Sequence, residues 1–366
     1  FSDDIEQNVN FKFTTALLDS VEKNDIKKVD LIINHPSFDK AKSQLIKSIF
    51  TAVEKGHFEI FKKLIKINDD DVNICDSNRK ILLNFAVVNN RVEIVDYILD
   101  NQNFDPTICD IFAAFTFYIE NVTEESFYMM SKLYKYDKIK TVNFNQLLPT
   151  GESFFTLIAS HIHYNVYSSV NSTLVGKIAS FLIDQGADPN MPDRRGIYPL
   201  EYAILLESTD FVRVLLNSNK INLNQIIEIK DTQNRIFENM FKECLKDSKA
   251  VKKTYLHIAA RSRILDILKL LVEIDGIDIN SKDELGETPL FDACRFSRFE
   301  NIEYLASLKN VDFDCCNCDG DDVLKVSIKL MDKNPDFEIQ NREDYAKALS
   351  LIFKRNQDCF YFDDVD

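Results

Sequence analysis

Thr254-Tyr255-Leu256-His257-Ile258-Ala259-Ala260 and Thr288-Pro289-Leu290-Phe291-Asp292-Ala293-Cys294 are two copies of one pattern, with Ala259 and Ala293 34 residues apart. They fall in the stretch from Thr254 to Asp319. Each copy opens on a short apolar helix and continues through a turn into a second apolar helix, closing in a polar turn rich in Asp and Asn. A unit this small cannot bury its own apolar face, so a fixed period of this size predicts an all-α stack of repeats, each covered by its neighbours.

The punctuation of the pattern has a local cause. Thr at the opening caps the first helix, and Pro at the next position supplies the φ of a first turn. The fullest ending, Phe181-Leu182-Ile183-Asp184-Gln185-Gly186-Ala187-Asp188-Pro189-Asn190, places Gly186 to adopt the left-handed conformation that stops a helix, with Pro189 preventing another from starting at once. This combination resembles the ankyrin repeat. The tetratricopeptide repeat has nearly the same period, but its pattern sets Trp and Tyr where this chain has neither. The resemblance implies a solenoid of helix-turn-helix units with inter-repeat turns.

The small residue of the first helix can be walked through the chain in this register: Ser20, Ala52, Ala86, Ala114, Ile158, Ala203, Ala259, Ala293 and Ser327. These mark nine units, several of them poor matches, in a single array over residues 13–340. From Ala203 to Ala259 the step is 56 residues, 22 more than the period, and the surplus lies in residues 225–251. Ile236, Phe237, Met240, Phe241 and Leu245 recur there at helical spacing, so it reads as an inserted amphipathic helix or as a worn half-repeat. A second surplus, His161 to Thr173, falls between the two helices of the fifth unit. Residues 341–366 read as a C-terminal capping helix followed by an acidic tail.

The 366 residues include eight cysteines and carry a formal net charge of −15. That charge opposes nonspecific binding to phosphate backbones, so nucleic acid is not an expected partner. The chain has neither an apolar run long enough to span a membrane nor a secretory start, which predicts a soluble cytoplasmic protein, the nucleus not being excluded, with reduced thiols. It opens on Phe1, which reads as a processed product or a fragment.

Little in the sequence offers chemistry. Cys315, Cys316 and Cys318, with Cys294 and Cys359 as further donors, form one crowded group rather than the two spaced pairs a structural zinc takes, and they read as thiols of an inter-repeat turn. His161 and His163 share a face only in an extended segment. His257 reads as the repeat's own structural histidine. Phosphate loops, nucleophile elbows and zinc-protease helices are missing from the sequence, so no catalytic residue, metal or cofactor is expected.

What the resemblance implies instead is a non-catalytic scaffold, monomeric, that binds a protein or peptide on the concave surface of turn tips and first helices. Transferred by register, that face holds Glu54, Lys55, Val88 and Asn89, and then the principal candidates Arg194, Arg195, Ile197, Leu205, Leu206, Arg261, Ser262, Glu284, Leu285, Glu287, Arg295 and Phe296. Arg261, Arg263, Arg295 and Arg298 concentrate positive charge in an acidic molecule. They read either as a patch that steers an acidic partner or as bridges to nearby carboxylates. The alternative function is a regulatory or targeting segment of a larger enzyme, channel or secreted effector.

Overall fold

The computed structural model describes residues 15–39, 44–136, 142–164, 172–223, 225–229, 251–333 and 346–354. The chain divides into two compact units, Phe1–Asn143 and Phe144–Asp366.

The first unit is a stack of helix pairs: α1 (residues 15–22) with α2 (Ile26–Ile33), α3 (Leu45–Lys55) with α4 (Phe58–Ile67), α5 (Leu82–Val88) with α6 (Val92–Asp100), and α7 (Ile111–Glu120) with α8 (Glu124–Tyr136). First helices pack on first helices, α3 on α5 and α5 on α7, and second helices on second, α2 on α4, α4 on α6 and α6 on α8.

The second unit repeats the scheme with α9 (Phe154–Tyr164) and α10 (Ser172–Asp184), α11 (Pro199–Leu205) and α12 (Thr209–Asn217), α13 (Tyr255–Arg261) and α14 (Leu265–Val272), and α15 (Pro289–Arg295) and α16 (Phe299–Ser307). It ends on α17 (Val323–Lys333) and the helical residues 346–354, here α18, of which Ala348 and Ile352 are buried. Residues 355–366, with the acidic end of the chain, lie outside the described residues.

The two helices of a pair bury different amounts of themselves, and this explains the small residue at the register position. Every residue of α11 and of α13 is buried, because each first helix has a neighbour on both sides of the stack as well as its own partner. Ala52, Ala86, Ala203, Ala259, Ala293 and Ser327 are all fully buried there, where a larger side chain would push the helices apart. Second helices are amphipathic. In α4, Ile60, Phe61, Leu64 and Ile65 face inward at spacings of one, three and four.

The polar turns do more than end helices. Asn280 donates its amide to the Asn310 carbonyl at 2.7 Å and accepts the Asp312 backbone N–H at 2.8 Å, joining one repeat to the next. Asn190 makes the same pair with Lys220 and Asn222, Asn145 with Gly186 and Asp188, and Asn73 with Asn103 and Asp105. The amide side chain supplies both the donor and the acceptor of this fork. The bonds are exposed, so Asn280→Ala is expected to lower stability by no more than about 1 kcal/mol. Urea titration checks this, with Asn280→Asp, which keeps the acceptor alone, falling between the two.

Arginine at the start of a second helix closes the first helix of the preceding repeat. Arg91 donates Nε to the Val53 carbonyl at 3.1 Å and its guanidinium to the Glu54 carbonyl, capping the C-terminal end of α3 over Gly56, which takes φ +76°. Arg298, at the same register position, donates to the Arg261 carbonyl, and Asn301 donates to the carbonyls of Ala260 and Ser262.

The insertion emerges from an unexpected place. Strand β1 (Ile227–Ile229) pairs antiparallel with β2 (Val251–Lys253), Ile227 opposite Lys253. In the following repeat the equivalent pair is Asp283 and Glu287, with Glu287 directly ahead of the cap Thr288 as Lys253 is ahead of Thr254. Three residues separate Asp283 from Glu287, whereas 25 separate Ile227 from Lys253, which accounts for the whole 22-residue surplus. The surplus is therefore the expanded tip of an inter-repeat hairpin, and the ends of residues 225–251 are strands rather than helix. Ile236 to Leu245, the residues at helical spacing, lie outside the described residues, as do 165–171 of the fifth-unit surplus.

Candidate functional site

The hairpins of the second unit form a row of rigid fingers. In one, Asp193 N–H donates to the Ile197 carbonyl at 2.9 Å, while Asp193 Oδ1 accepts the backbone N–H groups of Arg195 and Ile197. Asp283 repeats this with Glu287 and Leu285, its Oδ1 accepting both N–H groups at 2.9 Å. Adjacent fingers are tied by Arg194 N–H to the Gly151 carbonyl, 2.7 Å, and by Cys318 N–H to the Leu285 carbonyl, 2.8 Å. Side chains at the tips therefore project from a hydrogen-bonded edge.

Behind the fingers lies a buried cluster of charge. Lys253 Nζ reaches Asp283 at 2.5 Å and Asp292 at 2.9 Å, and Arg261 donates twice to Asp292 Oδ1, at 2.9 and 3.1 Å. His257 Nε2 lies 2.9 Å from the Glu287 carbonyl, which can only accept, so the ring proton sits on Nε2 and Nδ1 accepts from Thr254 Oγ1 at 2.8 Å. Burial lowers the pKa of His257, keeping it neutral. Burial alone would push Asp292 up, but the charges of Arg261 and then Lys253 outweigh it and hold its carboxyl down to about 2.

His257, Asp283 and Asp292 place their ligand atoms within 4.8 Å of one another, a spacing a metal would accept. Both ring nitrogens of His257 are already engaged, and the Lys253 ammonium bridges the two carboxylates, so the cluster is an internal ion network. Sequence reasoning missed Lys253, Asp283 and Asp292 as a group. The signal was there: Asp292 directly precedes the buried Ala293, and an acid at such a depth needs a cation.

The surface candidates divide. Arg194, Arg195, Glu284 and Leu285 are exposed, and Leu285 at its fingertip is 44% accessible. Ile197, Leu206, Arg295 and Phe296 are half-buried. Leu205, Arg261, Ser262 and Glu287 are buried, which corrects the expectation that they present side chains to a partner. The reasons are local. Leu205 and Arg261 end first helices that are enclosed on every side, and the Phe296 ring covers the Arg261 guanidinium at 4.9 Å. Ser262 hydrogen-bonds Glu207 and the Ile264 N–H. Glu287 receives Arg295 Nε at 2.9 Å and Asn317 at 3.1 Å. Of the four arginines read as a basic patch, Arg261 and Arg295 are thus bridged to carboxylates and Arg298 caps a helix, the second of the two readings. In the first unit Glu54, Lys55 and Val88 are exposed and Asn89 is half-buried.

The cysteine cluster does not converge. Cys315 is buried with its sulfur toward the Gly286 carbonyl, whereas the Cys316 and Cys318 sulfurs face the Asp314 and Glu284 carbonyls. His161 and His163 lie on the helical backbone of α9, not in the extended segment their pairing required, and their side chains lie outside the described residues.

A family model for ankyrin repeats, in three copies, matches residues 17–110 and 229–317, together half of the chain. The chain belongs to the ankyrin-repeat family, and its helices form the solenoid characteristic of it. Protein phosphatase 1 regulatory subunit 27 of Mus musculus and of Homo sapiens are each 46% identical to it over 66 residues, 18% of this chain. The chain spans 42% of the length of these curated relatives. Among solved structures, a chain from the complex of a predatory endopeptidase of Bdellovibrio bacteriovorus with an immunity protein aligns with a TM-score of 0.42 and 19% identity, over 60% of this chain and 91% of that one. Ankyrin repeats generally mediate protein–protein interaction, and no helix among the described residues is long and apolar enough to cross a membrane.

Proposed function

We propose that this chain is a non-catalytic scaffold that binds a protein or peptide along the fingers of its second unit, with Leu285 at the centre of the contact. The observation that carries this reading is a division of labour. The polar chemistry behind the fingers, Lys253, His257, Asp283 and Asp292, is consumed in holding repeats together, while an apolar side chain stands out from a hairpin fixed by hydrogen bonds on both strands. A rigid, exposed apolar group at a tip loses little freedom on binding, which suits it to anchor a partner. The insertion issues from the same row of fingers.

An acidic partner surface draws support from Arg194 and Arg263, which are exposed, but not from Arg261, Arg295 or Arg298. The relatives are, by name, regulatory subunits of a phosphatase, which favours a regulatory or targeting segment as the second reading; that role would use the same fingers. A monomeric protein acting inside the cell fits both.

The test compares the wild type with Leu285→Glu in affinity capture followed by quantitative mass spectrometry. The variant should recover a specific partner about tenfold less well, the scale of a modest hot spot, while melting at the same temperature. Equal recovery of every captured protein by wild type and variant would overturn the reading.

A further inference from the structure

Glu201 is the third residue of α11 and is buried, and the next repeat shows what that position does. There the third residue of α13 is His257. Its Nδ1 lies 3.3 Å from the backbone N–H of the cap residue, Thr254, and its Nε2–H donates across the repeat junction to the Glu287 carbonyl. Glu201 performs the first half identically, Oε2 accepting the backbone N–H of its own cap residue, Tyr198, at 3.3 Å. For the second half, the register sets the Lys253 carbonyl directly before Thr254, as the Glu287 carbonyl stands before Thr288. A carbonyl only accepts and a carboxylate only accepts, whereas a carboxylic acid carries one O–H to donate.

We propose that Glu201 is a proton-operated latch between repeats: as the acid it donates its O–H to the Lys253 carbonyl, and on ionising it releases α11 from the β2–α13 junction beneath the insertion.

The groups facing Glu201 agree with this. From its finger come Asp193, which repels a carboxylate, and Arg195, which is already committed to Asp193 at 2.7 Å. From α13 comes Tyr255, its hydroxyl kept protonated first by burial and then by Glu201; Tyr202 and Tyr198 belong to α11 itself and its cap. Phe154 to Ala159 of α9 carry no ionisable group, and Asp210 and Arg213 of α12 are exposed and paired with each other at 3.3 Å. Burial above all, and then Asp193, push the Glu201 carboxyl up to about 8, against the Tyr198 N–H and Arg195. Because the folded-state value is raised, the contribution to stability is complete below the ordinary carboxyl range near 4.5 and is lost as pH rises through about 8.

Amide hydrogen exchange at residues 252–260, corrected for intrinsic rates, tests the latch between about pH 6 and about pH 9.5. Wild-type protection should fall by up to tenfold per pH unit as pH rises towards about 8, as one linked proton requires, and level off above about 8, where the carboxyl is ionised whether latched or released. Glu201→Gln keeps the acceptor and carries a permanent donor, so its protection should stay flat. Flat wild-type protection, or an equal slope in the variant, would overturn the proposal, as would a Gln variant that fails to fold. Independently, the Glu201 carboxyl carbon followed by NMR in the wild type should titrate above neutrality; a midpoint in the ordinary carboxylate range would also overturn it.

Discussion

Asp292→Ala is expected to destabilise the second unit by about 3–5 kcal/mol, the range for removing one partner of a buried ion network. Asp292 has no accessible surface, and its carboxylate takes both Lys253 and Arg261. Without it, two cations compete for Asp283 or remain unpaired where water cannot reach them. Residual pairing with Asp283 sets the low end of the range. Because the loss comes from stranded charge rather than from missing attraction, replacing Asp292 together with its own cation, Arg261→Met with Asp292→Leu, should recover most of it, since Lys253 keeps Asp283. Urea titration of the single and double variants distinguishes these outcomes, and a double variant no better than the single would refute the argument. The same carboxyl sets an acid limit. Held down to about 2 from an ordinary 3.8, it supplies stability that is complete above about 4 and is lost as pH falls through about 2.

This network marks the boundary of what could be read from the sequence. The helix pairs, their caps and the buried small residue were legible because each follows from spacing a few residues wide: Thr288 and Pro289 open α15, and Gly186 takes φ +92° after α10. What was not legible depends on two repeats at once. Lys253 and Asp283 are 30 residues apart, and Arg298 and Arg261 are 37 apart, so a linear reading sees four basic residues near one another and infers a surface patch. Stacking instead buries Arg261, two residues after Ala259, against Asp292 of the next repeat. The insertion shows the same limit. Its length was correct from the period, but its attachment at a hairpin tip depends on the pairing of Ile227 with Lys253 across 25 intervening residues.

Arg295 is where this difference decides how an experiment is interpreted. As a register-transferred surface residue, Arg295 invites alanine replacement as a direct test of partner binding. Its guanidinium instead grips Glu287, a carboxylate only 1% exposed that also takes Asn317 from the next finger. Arg295→Ala is therefore expected to cost about 2–3 kcal/mol, less than Asp292→Ala because the arginine side chain is 31% exposed and water can follow it in. Partner capture would fall with this variant even if Arg295 touched nothing outside the chain, through loosening of the finger that presents Leu285. A double-mutant cycle with Glu287→Gln separates the two effects, since the amide leaves no charge behind. If Arg295 acts only through Glu287, then Arg295→Ala should cost under about 1 kcal/mol in the Glu287→Gln background, and capture should return towards the Glu287→Gln level. Full stability with capture still lost would instead place Arg295 in the contact itself.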